Sequence, residues 1–114
     1  MRRLVTMSLL LAACLTLALA PMTGAQSKPV EVPITIENQK FTPAEVKVKA
    51  GAPFALVVTN KDPKAAEVES KELRFEKVVP PGKTVNIRVR ALKPGTYVFV
   101  DDFNKSNQGT IVAE

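Results

Sequence analysis

Val46 and Val48 interleave with Glu45, Lys47 and Lys49, and Val85, Ile87 and Val89 interleave with Asn86, Arg88 and Arg90. A period of two sends successive side chains to opposite faces of a strand, so each segment has one buried side and one wet side. Residues 54–58 are apolar throughout, as in a strand covered on both faces or lying centrally in a sandwich. The same reading predicts strands over residues 30–38, 45–49, 54–60, 67–70, 73–79, 84–91, 96–101 and 110–113. Ala50-Gly51, Pro80-Pro81-Gly82 and Pro94-Gly95 punctuate them, with Gly free to take positive φ and Pro fixing the bend. No helical period of useful length, internal repeat or second domain is visible. The expected class is all-β, a two-sheet sandwich of about 7–8 strands.

The N-terminus follows another pattern. Arg2 and Arg3 precede an almost continuously apolar stretch from Leu4 to Ala20, and Thr23, Gly24 and Ala25 close it with small residues. This is the pattern of an export signal, with cleavage after Ala25. Cleavage after Ala20 would place Pro21 next to the cut and spoil an extended substrate conformation. The domain expected after processing is residues 26–114, periplasmic or secreted. A competing reading uses the single cysteine, because Leu11-Ala12-Ala13-Cys14 is similar to a bacterial lipobox whose Cys would be acylated. The apolar run continues past Cys14 to Ala20, which favours a cleaved signal over a lipoprotein tether. The run is also short for a membrane span.

Composition removes several chemistries. There is no His, no Trp and one Cys, so Ser-His-Asp and Cys-His catalysis, Cys/His zinc sites and His-ligated haem are excluded. The processed chain carries no cysteine and uses no disulfide. Without Arg2 and Arg3, 14 basic residues face 11 acidic ones, interspersed and too mild an excess to imply a nucleic-acid partner.

Three pieces in order resemble the cupredoxin family, Greek-key sandwiches that carry a mononuclear copper at one end. These are Phe41-Thr42-Pro43-Ala44 running into Val48-Lys49-Ala50-Gly51, then Leu56-Val57-Val58-Thr59-Asn60, then Pro94-Gly95-Thr96-Tyr97-Val98-Phe99 with Gly109-Thr110-Ile111-Val112. The departures are informative. In copper-carrying members the closing loop runs Cys-x-x-His-x-x-Met-x-Gly; with Gly109 in register those ligand positions hold Asp101, Asn104 and Asn107. The remaining His position falls at Ala66 or Glu67. Without thiolate or imidazole, a blue-copper electron carrier is not expected. Glu67-Val68-Glu69-Ser70-Lys71-Glu72, followed by Val78-Val79-Pro80-Pro81-Gly82, looks like a cupredoxin-like subgroup of exported bacterial proteins, some associated with iron uptake. The resemblance implies a metal-binding or metal-delivery accessory for iron or copper, with a metal-transport membrane protein or another periplasmic protein as partner. The closing loop, Val100-Asp101-Asp102-Phe103-Asn104, departs from that subgroup as well.

The candidate ligands are Glu67, Glu69, Asp101, Asp102 and Asn104, with Glu72 and Asn107 nearby, expected together at one pole of the sandwich. Oxygen donors suit hard cations such as Fe(III), Mn(II) or Ca(II), and can hold Cu(II) without a thiolate. Period two puts Glu67 and Glu69 on one face, whereas only one of the adjacent Asp101 and Asp102 can point inward. Plainer readings stand beside these. The glutamates can be a solvated edge, the aspartates a turn, and Lys71, Arg74 and Lys77 counter-ions to both. Phe103, between former ligand positions, is a candidate water shield. A metal-free interaction module is the rival reading; neither an enzyme nor a small-molecule substrate is expected.

Overall fold

The computed structural model describes residues 28–114. The export signal over residues 1–25, its cleavage after Ala25 and the lipidation alternative at Cys14 lie outside the described residues. Nine strands form two sheets: β1 Val30–Glu37, β2 Lys40–Thr42, β3 Glu45–Val48, β4 Phe54–Asn60, β5 Ala66–Ser70, β6 Phe75–Val79, β7 Thr84–Val89, β8 Gly95–Asp101 and β9 Asn104–Ala113. One sheet has the order β2-β1-β4-β7 and the other β3-β9-β8-β5-β6. No helix is present among the described residues. β4 lies centrally in its sheet, parallel to β1 and antiparallel to β7.

The alternation read from the sequence builds the core. Ile34, Ile36, Leu56, Val58, Val68, Val79, Phe99 and Ile111 are each at most 1% exposed and meet between the sheets. Each such burial contributes about 1.5–3 kcal/mol, so packing alone accounts for a stable sandwich without a disulfide. Phe99 sits at the centre, edge-on to Phe41 of β2 with ring centroids 4.8 Å apart and planes at 65°. Its ring lies over Gly109, its register partner on β9. A Cβ at Gly109 would fall inside that ring, 2.8 Å from Cε1.

Two expectations change. β2 is an additional strand, because Asn38 and Gln39 take positive φ (53° and 59°) and close a two-residue hairpin between β1 and β2. The Asp62 carboxylate holds that turn, accepting from the Asn38 amide at 2.7 Å and the Gln39 amide at 2.8 Å. The final strand begins at Asn104 rather than residue 110: β8 and β9 form a hairpin with Asp101 opposite Asn104, leaving residues 102–103 as its turn. The segment expected as an open ligand loop is therefore mostly strand, with Asn107 and Gly109 on its buried face.

Gly109→Ala is expected to lower the unfolding free energy by about 1–3 kcal/mol through overpacking against Phe99, a ring with no exposed side to yield toward. Urea denaturation measures the change.

Candidate metal centre

On β5, Ala66, Val68 and Ser70 face the core, which turns Glu67 and Glu69 to the outer face of the five-stranded sheet. Antiparallel β6 sets Glu76 directly opposite Glu69, on the same face. On the other flank the β8–β9 turn is fixed to β5 by paired hydrogen bonds. The Glu67 amide donates to Asp101 Oδ1 at 2.9 Å, and the Asp102 amide donates to the Glu67 carbonyl at 2.8 Å. Asp101 Oδ1 also accepts from the Phe103 amide at 3.0 Å, closing the turn over the buried carboxylate. This clamp brings the Asp102 side chain to the glutamates. Glu67, Glu69 and Asp102 each offer a carboxylate oxygen, and the three lie within 4.8 Å of one another.

Like charges this close resist ionising together. The hydrogen bond with Glu76, then desolvation, then the charges of Glu76, Asp102 and Glu69 push the Glu67 carboxyl up from 4.5 to about 7. Counter-charge is sparse. Lys105 Nζ stands 3.8 Å from Asp102 Oδ1, a pair mostly in solvent. Lys71, Arg74 and Lys77 form no ion pair with these acids among the described residues. Beside the cluster, Glu69, Lys71, Val98, Val100, Asp102 and Lys105 border a shallow cavity of about 290 Å³. Glu72 lines that cavity too, outside the three-carboxylate group.

The five candidate ligands divide. Glu67, Glu69 and Asp102 come together on the outer face, while Asp101 and Asn104 border a separate cavity of about 220 Å³ at the pole, with Ala66, Asp62, Lys64 and Phe103. The expectation that all five share one pole is corrected. Parity is the cause: Asp101 follows Phe99 inward and Asp102 follows Val100 outward. Asp101 is 5% exposed and its Oδ1 is occupied by two backbone amides. Asn104 donates to Gln39 Oε1 at 3.3 Å and accepts from the Ser106 hydroxyl at 2.8 Å. Asn107 is buried and uses Oδ1 to accept from the Phe41 amide at 3.0 Å, joining β9 to β2. Phe103, 57% exposed, lies at the rim of the pole cavity and does not cover the three carboxylates. Sequence reasoning missed Glu76 and Lys105. A hairpin register centred between residues 70 and 75 would have paired Glu76 with Glu69, but that register is set by a turn containing Arg74 at φ 57°.

The chain belongs to the cupredoxin-like domain family, whose model matches residues 7–113. An uncharacterized protein of Rickettsia prowazekii (strain Madrid E) is 39% identical over 84 residues, covering 73% of this chain and 67% of that protein. Among solved structures, the fold is similar to the metal-binding domain of the Cu(I)-exporting P-type ATPase CopA of Streptococcus pneumoniae D39, with TM-score 0.68 and 17% identity over 74% of this chain and 84% of that one. Auracyanin A, a blue copper protein of Chloroflexus aurantiacus, gives TM-score 0.60 and 17% identity over 76% of this chain and 100% of that one. Amicyanin from Paracoccus versutus gives 0.58 and 16% over 80% and 86%. At such identities the likeness establishes the sandwich, and the site must be argued from its own residues.

Asp101→Ala is expected to destabilise the protein by about 1–3 kcal/mol for each amide it leaves unpaired, whereas Asp101→Asn, which keeps an acceptor oxygen, recovers most of that loss. Thermal and urea unfolding of the two variants distinguish them. A second outcome concerns pH. Between 4.5 and about 7 the folded chain holds the Glu67 proton and the unfolded chain has released it, so stability falls as pH rises through that window. Comparing unfolding of the native protein and Glu67→Gln from pH 4 to 8 should show the excess downward slope only in the native protein.

Proposed function

We propose that the protein is an exported, cupredoxin-like metal-binding accessory that captures a hard cation at Glu67, Glu69 and Asp102 and passes it to a metal-transport membrane protein or another periplasmic partner. The observation that carries this reading is the meeting of three carboxylate oxygens within 4.8 Å, with Glu76 opposite Glu69 on the neighbouring strand. The hydrogen bond with Glu76, then desolvation and then the neighbouring acids raise the Glu67 carboxyl to about 7, so without a cation it is partly protonated near neutrality. A bound cation would relieve the repulsion among the acids and displace the proton, so affinity rises with pH toward and above 7.

The donor set fits Fe(III) or Cu(II) held by oxygen. It does not suit soft Cu(I), the ion named for the pneumococcal domain, because residues 28–114 contain neither Cys nor His. The same absence argues against a blue-copper electron carrier. Nothing in the donor set calls for an enzyme, since the acids face outward beside a shallow, open cavity. Export is inferred from the N-terminal Arg2-Arg3, apolar run and small-residue end. The partner is inferred from the subgroup resemblance and the place of the acids on the outer face of the five-stranded sheet.

Calorimetric titration with Fe(III) as a weak chelate, Cu(II), Mn(II) and Ca(II) tests the reading. Native protein is expected to take up a single equivalent of Fe(III) or Cu(II). Glu67→Gln with Asp102→Asn should lose on the order of tenfold or more in affinity, as ligand charge falls. Asn104→Ala, at the pole, should bind as the native protein does. Indifference of the native chain to every ion would instead favour a metal-free interaction module, and loss of binding in Asn104→Ala would move the site to the pole.

A further inference from the structure

The strand registers lay out the outer face of the four-stranded sheet as straight rows of small side chains. Thr42, Thr35, Thr59 and Thr84 stand in one row across β2, β1, β4 and β7. The Thr59 and Thr84 hydroxyls are 2.8 Å apart. The next row is Pro33, Val57 and Asn86, and the one beyond it Glu31, Ala55 and Arg88. No aromatic or long apolar group interrupts this face, so it is flat. Its central strand β4 is apolar on both sides over Phe54 to Val58; the side bearing Phe54, Leu56 and Val58 packs into the core, and on the outer side Ala55 is buried while Val57 and Thr59 are half-buried. Glu31 and Arg88 are exposed and make no ion pair among the described residues. They stand on strands two apart, about 10 Å, with small Ala55 between them.

We propose that this face is a self-association surface, occupied by a second copy of this chain across a two-fold axis running along β4. Such an axis keeps each row opposite itself and reverses its order. Val57 and Thr59 then stack on their own copies, Thr35 faces the partner's Thr84, and Glu31 faces the partner's Arg88 over the buried Ala55, with the reciprocal pair on the other side. Opposite charges meet twice with no like-charge contact in that row. The same operation leaves the strands of the two sheets near-aligned, the common geometry of face-to-face sheet packing. The face measures roughly 19 Å by 23 Å from strand spacing and rise, about 440 Å² in projection. That is below the ~800 Å² per partner of a standard interface, so the dimer is weak, with a dissociation constant of about 10 μM to 1 mM.

Sedimentation equilibrium of the purified protein across that concentration range tests the proposal. Arg88→Glu alone, or Glu31→Arg alone, should weaken dimerisation about tenfold or more, because each creates facing like charges. The double reversal should return affinity to within about threefold of native, the non-additivity expected of a contacting pair. Val57→Asp, at the centre of the face, should abolish dimerisation while circular dichroism shows an intact sandwich. A chain that stays monomeric up to about 5 mM overturns the proposal, as does a dimer whose affinity ignores the single reversals or is not restored by the double one. Monomeric protein retained on peptidoglycan would assign the face to a glycan and overturn it equally.

Discussion

The arrangement of the acids depends on one buried carboxylate that is not among them. Asp101 accepts the amides of Glu67 and Phe103, so the start of β5 and the β8–β9 turn are held as one unit. β5 and β8 share only two register pairs, Val68 with Asp101 and Glu69 with Val100. The side-chain clamp therefore supplies attachment that the ladder itself lacks. One buried and one part-buried amide would otherwise need partners at a strand end where backbone acceptors have run out. A carboxylate serves both, and its charge strengthens each bond. Asp101 is thus a strut, and the adjacent residue, turned outward by parity, joins the glutamates.

The strut also explains why a repulsive cluster can persist. Glu67, Glu69 and Asp102 sit on elements locked by backbone bonds, so their side chains cannot separate by moving the strands. Relief comes from protonation of Glu67, from Lys105 beside Asp102, or from a cation. Protonation is the internal solution near neutrality, and it makes the cluster responsive to any ion that offers a better one. The pole responds differently. There Asp101, Asn104 and Asn107 are engaged by the backbone or by neighbouring side chains; Asp101 ties the β8–β9 turn to β5, Asn107 ties β9 to β2, and Asn104 reaches the β1–β2 turn at Gln39.

Much of the scaffold was legible because its strands alternate in pattern. Residues 45–49, 54–60 and 84–91 announced themselves through Val, Ile and Leu on one face, and the strands formed within a residue or two of those bounds. β2 was not legible: its hairpin needs two non-glycine residues at positive φ, and they are held by Asp62, more than twenty residues away. The first half of β9 was hidden because its inward positions are Asn107 and Gly109, a hydrogen-bonding strut and a seat for Phe99 rather than hydrophobes. At the site, period two correctly put Glu67 and Glu69 on one face and allowed only one aspartate inside. Which aspartate turns inward follows from parity with Phe99, which the structure buries at the centre of the core. What sequence could not supply was the sheet order, and so the contribution of Glu76 from β6 and the separation of outer face from pole.

The two outer faces of the sandwich are chemically opposite, and that contrast bears on how a cation carrier of this form would work. The five-stranded sheet presents carboxylates, Val98 and Val78 to solvent. The four-stranded sheet presents threonines, Pro33 and Val57 between isolated charges. Because the core separates the sheets, anything that covers the second face leaves the first one free. Two copies joined through their threonine rows would carry their acidic clusters on the two far sides, too distant to share an ion. Each cluster would have to bind its cation alone, so any gain from pairing must come through avidity toward a partner that displays its acceptor sites more than once. Pairing and capture would then be thermodynamically independent, because no side chain that contacts one face reaches the other.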